Sequence, residues 1–348
     1  LPEMATWHWP ELDALCTVQA NELACVSFTS GSTGQVKAVR GSHAGLANYL
    51  NWFTEKYQIS QKDRVSMLSG LTHDPLQRDI FEALCTGATL VIPDEQDMQP
   101  GTLSQWIETA DISIMHMTPS QTLLIGQSEK LLESVRHIFL VGELLTENVI
   151  TRLRNQFPLA KVHNVYGATE TQRCLSFNEC GPGYDPTCIS SDFPDTQFRV
   201  HQKNGALSVL GQIGEIVVWS HNLSLGYMND TQLTKEKFIY DEFGNRGYKT
   251  GDLGYELANG TIRLLGRDDR QIKLRGYRIE LGEVESHLEK CLGVKQAAVC
   301  FVQDTEHQHL AAYIAVDEQF DMTAAKNQLR SNMPIYMIPT YWSVKDSL

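Results

Sequence analysis

The sequence predicts an α/β protein: a large N-terminal domain built on a mostly parallel sheet with a β-rich subdomain, then a small α+β unit at the C-terminal end. Three observations carry this. Strand-sized apolar runs alternate with helical stretches through the first two-thirds of the chain. From about Ser176 to Thr250, Gly, Asn and Asp punctuate short alternating runs such as GEIVVWS, the texture of a β-rich unit. Residues 269–348 then read helix, strand, strand, helix. At 348 residues the chain has room for roughly two domains of about 150 each.

The elements follow in order. ELACVSFTS is a strand. HAGLANYLNWFTEKY is a helix, with apolar residues near a 3.6 period. DRVSMLS and ATLVIP are short strands, and PLQRDIFEALCTG between them is a helix closed by Gly87. SIMHMTP and RHIFLVG are strands, each followed by a helix, and KVHNV is a further strand. GTIRLLGRDDRQIKLRG reads as two strands around a polar turn. After it come a helix, ELGEVESHLEKCLGV, two strands, QAAVCFVQD and HLAAYIAV, and a last helix, MTAAKNQLRSNM. The charged, Gly-flanked turn at 266–270 is the linker, which divides the chain into 1–268 and 269–348.

Composition narrows the function. Apolar residues make up 42 % and charged residues 20 %, a globular mix that argues against disorder. A net charge of −13 argues against a nucleic-acid partner and against a polybasic membrane anchor. No apolar run approaches the 18 or more residues of a membrane span, so no membrane partner is expected. The start, LPEMATWHWPELDAL, has neither a secretory signal nor an initiator Met, and reads as the tail of something longer. The eight cysteines are sparse and form no CxxC, as expected of reduced thiols in a cytoplasmic protein. Cys174, Cys180 and Cys188 lack zinc-ligand spacing and a nearby His.

Three segments carry chemistry suited to a nucleotide. TSGSTGQVK at 29–37 follows a strand directly; its hydroxyls and glycines make a loop of free donors, and Lys37 adds a point charge. Such loops wrap phosphate oxygens. It is not the Walker pattern, because Gly31 and Gly34 are too close and Lys37 is not followed by Ser or Thr. An ordinary Ser/Gly surface loop reads equally well from this segment alone. YGATET at 166–171 offers a ring, a hydroxyl and a carboxylate at a strand end, where open α/β sheets bind ligands. In YKTGDL at 248–253, Asp252 can take a diol through its two oxygens, as carboxylates do with ribose. Singly, the last two are better read as turns with a capping acid.

Together, the order TSGSTGxxK, YGxTE, YxTGDL and GRDDRQIKLRGYRIELGEVE at 266–285, then MPIYMIP at 333–339, resembles the adenylate-forming superfamily. Within it the chain is most similar to the adenylation domains of nonribosomal peptide synthetases. The resemblance implies a large adenylate-forming core followed by a mobile C-terminal subdomain on a hinge at Asp269. The loop residues Thr29, Ser30, Gly31, Ser32, Thr33, Gly34 and Lys37 would hold the ATP phosphates. Tyr166 would pack on the adenine, and Asp252 would bind the ribose with Arg267 beside it. The catalytic pair would be Thr169, contacting the α-phosphate, and Glu170, ligating Mg²⁺. The implied enzyme is an AMP-forming ligase, in which a carboxylate attacks the α-phosphorus to give an acyl-adenylate and pyrophosphate. That step needs positioning and charge neutralisation more than covalent help. The acyl group would then pass to a phosphopantetheine thiol on a carrier (thiolation) domain of the same polypeptide, after the hinge rotates. Against the family pattern, only 28 residues precede Thr29, and the chain ends before the motif of the family's catalytic Lys, for which Lys345 sits too early. Both domains are therefore expected to be truncated at their outer ends.

The same resemblance places the acyl pocket. The aspartate that grips an amino acid's α-ammonium matches Asp74, in THDP at 72–75, beside His73. Other wall positions match Pro75, Arg78, His116, Phe139, Val141, Val165, Arg173 and Cys174. A guanidinium is rarely buried without a partner, and a carboxylate paired in two-pronged fashion offsets that burial. Two arginines thus imply a substrate with a second, distal carboxylate. The alternative is that Arg78 pairs with Asp79 or Glu82 on its own helix and Arg173 reaches solvent. HDPxQRDxF and YGxTETQR resemble the adenylation domains of the fungal L-2-aminoadipate reductase family, in which the side-chain carboxylate is activated and the α-amino and α-carboxyl groups form the distal handle. The chain departs from that family's wall at Val165 and Cys174. An adenylation domain for another amino acid, an acyl-CoA-type ligase and a non-catalytic nucleotide-binding module remain open at this stage.

Overall fold

Strands β1 (Leu23–Thr29) and β2 (Lys37–Ser42), which flank the hydroxyl-rich segment in sequence, pair antiparallel. The computed structural model describes residues 17–30, 36–71, 74–126, 131–303, 308–345 and 347. Ser42 then caps α1 (His43–Lys56): its Oγ accepts from the Gly45 N–H at 3.2 Å, satisfying one of the helix's free donors.

The next elements are β3 (Arg64–Ser66), α2 (Leu76–Thr86), β4 (Thr89–Val91), α3 (Leu103–Thr109), β5 (Ile114–Met117), β6 (His137–Val141), α4 (Glu147–Gln156), β7 (Lys161–Ala168) and β8 (Arg173–Glu179). Their six strands form one sheet in the order β4-β3-β5-β6-β7-β8, parallel except for the antiparallel β7–β8 pair. As expected, α2 ends at Gly87, in the left-handed conformation with φ 73°. The stretch after β5 departs from expectation: it is a 3-10 turn, Ser120–Ile125, closed by Gly126. Successive strand residues face opposite sides. Ile114, Phe139 and Val165 therefore pack with Leu50 and Phe53 of α1, while Met115, Ile138 and Leu140 pack with Ile107 of α3 and Leu153 of α4. Burial on both faces is why these strands read as unbroken apolar runs.

Asp63, just before β3, ties two strand starts together. Its carboxylate accepts from Arg136 Nε at 2.8 Å and Nη2 at 3.0 Å, from Ser113 Oγ at 2.8 Å and from the Ser60 N–H at 2.9 Å. Burial works to raise its pKa, but these bonds hold it below the ordinary carboxylate value. A depressed folded-state pKa contributes stability above the unfolded value near 3.9, and that stability is lost as pH falls through the folded one. Asp63→Asn is expected to cost about 1.5–3 kcal/mol at pH 7 and progressively less as pH falls below the unfolded value of about 3.9. Thermal melts across pH check this; an equal loss at every pH contradicts it.

The β-rich unit comprises β9 (Cys188–Ile189), β10 (Thr196–His201), β11 (Gly214–Ser220), α5 (Thr231–Lys237), β12 (Phe238–Tyr240), β13 (Arg246–Glu256) and β14 (Ile262–Arg267). Its sheet runs β10-β11-β13-β14-β9, with β12 also on β13. The two runs within 260–276 are strands, but they do not pair with each other. β14 lies between β13 and β9 in the β-rich sheet, whereas β15 (Gln271–Leu274) turns back on β16 (Tyr277–Glu280). The turn is Arg275 and Gly276, at φ 52° and 82°; two left-handed residues are what a tight hairpin turn requires. The chain ends in α6 (Leu281–Glu289), β17 (Val294–Gln303), β18 (Gln308–Val316), α7 (Met322–Asn332) and β19 (Tyr341–Lys345). Their apolar cluster draws only on residues between Ile272 and Trp342. Among the described residues, no helix is long and apolar enough to cross a membrane.

Candidate active site

The C-terminal ends of β1, β6 and β7 meet β13 and the β15–β16 hairpin at a cleft of about 130 Å³. Thr29, Asp74, Arg78, Thr169, Arg173, Cys174, Asp252 and Arg267 all line it. Three motifs far apart in sequence thus share one space. A wider cleft of about 730 Å³ opens elsewhere, beside the His137–His163 pair, and holds none of the predicted residues.

Asp252 and Arg267 sit directly opposite each other on β13 and β14. Arg267 Nη1 donates to Asp252 Oδ1 at 2.7 Å and to the Thr250 carbonyl at 3.2 Å. Its Nε and Nη2 donate to the two oxygens of Asp269 at 2.7 and 2.8 Å. Gly251, at φ 78°, makes this possible, because a Cβ there would lie 2.6 Å from Arg267 Nη2. The Tyr166 hydroxyl donates to Asp252 Oδ2. Burial and the Asp252 charge push that phenol well above its ordinary pKa, so it stays a donor. Thr29 Oγ1 is buried in this wall with no hydrogen-bond partner among the described residues.

Glu170 is fully buried at the 3-10 turn Thr169–Thr171. Arg278 Nη1, from β16, donates to both its oxygens at 2.9 and 3.0 Å, and the Tyr227 hydroxyl donates at 2.7 Å. Burial opposes ionisation, but the guanidinium and the phenol hold Glu170 below the ordinary carboxylate pKa. The hairpin is anchored nearby: Ser30 Oγ donates to the Arg278 carbonyl at 2.6 Å, and Lys37 Nζ lies 3.9 Å from Glu280. Burial and the Arg278 charge lower the Lys37 pKa.

Arg78 Nε and Nη2 donate to Asp79 Oδ1 at 3.1 and 2.9 Å, with both side chains buried. Arg173 is buried too; its Nη2 donates to the Gln77 amide oxygen, and its Nε has no partner among the described residues. Beneath them His116 Nε2 lies 2.7 Å from Glu82 Oε2. Burial pushes Glu82 well above and His116 well below their ordinary values, so this is a hydrogen bond between neutral groups. Burial also lifts the Cys174 thiol to about 11, which makes it an inert wall group.

Of the expected pocket wall, Asp74, Pro75, Arg78, Val141, Arg173 and Cys174 line the cleft. Phe139 and Val165 do not. They lie in the apolar layer below, where Phe139 stacks on His116 at 4.9 Å; Val141, on the same face of β6 but two residues nearer its C-terminal end, reaches the cleft. His116 opens only onto a small adjoining cavity of about 40 Å³. His73 and the loop residues Gly31, Ser32, Thr33 and Gly34 lie outside the described residues. Tyr166 stands beside the cleft, with its ring 5.8 Å from that of Phe198 and 5.9 Å from Lys273 Nζ. The sequence assigned no role to Arg278, Tyr227 or Gln77, and offered Glu82 only as an alternative partner of Arg78, which pairs instead with Asp79. Arg278 and Gln77 lie inside quoted motifs, so their position was legible although their contacts were not.

Comparison with known proteins agrees with this geometry. Residues 3–228 match the family described as AMP-binding enzyme. The chain is 36 % identical over 327 residues to L-2-aminoadipate reductase of Schizosaccharomyces pombe, covering 83 % of this chain and 23 % of the reductase. It is 33 % identical over 336 residues to bacitracin synthase 3 of Bacillus licheniformis, covering 95 % of this chain and 5 % of the synthase. The chain thus spans about a quarter or less of the length of these relatives. Among solved structures, the Vibrio cholerae adenylation domain AlmE in complex with glycyl-adenosine-5'-phosphate superposes with a TM-score of 0.85 at 24 % identity, over 95 % of this chain and 64 % of that one. At that identity the likeness shows the fold alone.

Proposed function

The chain belongs to the AMP-binding enzyme family, and from that premise we propose that it adenylates an amino dicarboxylic acid, 2-aminoadipate or a close homologue, at the expense of ATP. The observation that carries this is the sharing of one cleft by Asp252, Thr29 and the buried Arg173. The 36 % identity to a reductase named for aminoadipate supports the substrate class.

In this reading the Asp252 carboxylate takes the ribose hydroxyls while Arg267 holds it in place. The unpartnered Thr29 hydroxyl donates to phosphate, with Ser30 beside it, and Thr169 meets the α-phosphate. Glu170 would be the Mg²⁺ ligand; both its oxygens now accept from Arg278, so the ion would bind once the β15–β16 hairpin that carries Arg278 is withdrawn. Mg²⁺, when bound, neutralises charge on the phosphates. Asp74 takes the substrate's ammonium, and the far end of the pocket takes its second carboxylate. The attacking carboxylate oxygen forms the new bond to the α-phosphorus and pyrophosphate leaves.

The free space is small beside the roughly 300–1,000 Å³ of a typical ligand pocket. Gly276, Tyr277 and Arg278 of the β15–β16 hairpin form part of its wall. Withdrawal of that hairpin about a hinge at Asp269 makes room for the nucleotide, and its return accompanies transfer of the acyl group to a phosphopantetheine carrier. The division into 1–268 and 269–348 and the cytoplasmic location belong to the same proposal.

Substrate-dependent ATP–pyrophosphate exchange in the full-length protein tests the reading. Exchange is expected with 2-aminoadipate, and about a hundredfold less with 5-aminopentanoate, which lacks the α-carboxylate and leaves the pocket cation unpaired. Equal exchange with both, or none with either, contradicts it.

A further inference from the structure

Resting on the amino-diacid reading above, we propose that Arg173 alone receives the distal carboxylate, and that Gln77 is the positioning residue that aims it. The two pocket arginines are not equivalent. Arg78 spends two N–H groups on Asp79, its neighbour on α2, with side-chain exposures of 5 % and 0 %, so its charge is matched before any ligand arrives. Arg173 is 7 % exposed, and no carboxylate pairs with it among the described residues. Its partner is the amide oxygen of Gln77, and its Nε has none. A buried, unmatched guanidinium is costly to hold, and an incoming carboxylate removes that cost by two-pronged pairing.

The surroundings hold the stem of Arg173 in place. Gln172, just before it, is left-handed at φ 56°, and its side-chain amide donates to the Leu223 carbonyl at 2.8 Å. Thr171 Oγ1 donates to the Arg173 carbonyl at 2.6 Å. With the backbone fixed at both ends of the turn, the direction of the guanidinium is set by Gln77. A neutral acceptor suits that role because it orients the cation without cancelling its charge. A carboxylate at the same position would neutralise Arg173 internally and compete with the substrate.

The test is pyrophosphate exchange by the full-length protein with 2-aminoadipate and with 5-aminopentanoate. In Gln77→Glu, the KM for 2-aminoadipate is expected to rise roughly 10- to 100-fold, with kcat nearly unchanged, while 5-aminopentanoate is spared. Gln77→Leu removes the aim but not the charge, and is expected to raise the same KM by a smaller factor. Arg78→Lys is expected to affect both substrates by the same factor. The ratio between two substrates is internal to each variant, so a general loss of fold cancels. If Gln77→Glu affects both substrates equally, or Arg78→Lys alone removes the preference, the assignment is overturned while the diacid reading stands. If the unaltered protein shows no preference for 2-aminoadipate, the diacid reading itself fails and takes this inference with it.

Discussion

Glu170→Gln is expected to reduce adenylation at least a hundredfold and to loosen the β15–β16 hairpin at the same time. The carboxylate is fully buried and takes Arg278 on both oxygens, so removing its charge leaves a buried guanidinium without a counter-ion. Breaking one side of such a pair costs roughly 3–5 kcal/mol. The amide also offers Mg²⁺ a much poorer ligand than a carboxylate. Two readouts separate the effects: pyrophosphate exchange reports the activity, and amide hydrogen exchange across β15 and β16 reports the docking. Faster hydrogen exchange confined to the hairpin, together with lost activity, is the expected result. Wild-type activity in the variant rules out a role for Glu170 in charge neutralisation.

Asp252→Ala is expected to weaken ATP binding by one to two decades, since a charged hydrogen bond is worth roughly 1.5–3 kcal/mol. The fold should tolerate the change better than the site does. Arg267 keeps both its bonds to Asp269 and its bond to the Thr250 carbonyl, so no buried cation is stranded. Calorimetry with a non-hydrolysable ATP analogue measures the affinity, and a thermal melt measures the fold. Asp252→Asn keeps one acceptor oxygen and should fall between the two. An unchanged nucleotide affinity in Asp252→Ala removes Asp252 from the ribose site.

What could be read from sequence follows the range of the interactions. The parallel sheet was legible because both its faces are buried, which writes apolar runs directly into HIFLV and its neighbours. The helix end at Gly87 was legible from a residue that favours left-handed backbone, whereas the tight turn at Arg275 and Gly276 was not expected. Pairing was not legible either. The run 260–276 showed two strands, yet nothing local says that β14 joins β13 while β15 joins β16. Arg278 reaches Glu170 across 108 positions, a contact no pattern near either residue announces. In the pocket, the resemblance located Arg78 and Arg173, and the sequence offered the Arg78–Asp79 pair as an alternative, but the Arg173–Gln77 contact is visible only once α2 lies against the start of β8. Phe139 and Val165 were expected on the wall. Phe139 shares its face of β6 with Val141 but lies two residues earlier, and Val165 lies short of the end of β7, so both pack beneath the cleft with α1.

The most direct measurement follows an oxygen atom. If the bound carboxylate attacks the α-phosphorus, one oxygen of that carboxylate becomes the bridge of the acyl-adenylate. It leaves with AMP when a nucleophile takes the acyl group. With 2-aminoadipate labelled with ¹⁸O in its carboxyl groups, and hydroxylamine as the trap, mass spectrometry of the released AMP is expected to show one ¹⁸O per molecule. Unlabelled AMP, or label recovered in inorganic phosphate alongside ADP, contradicts adenylation by this cleft.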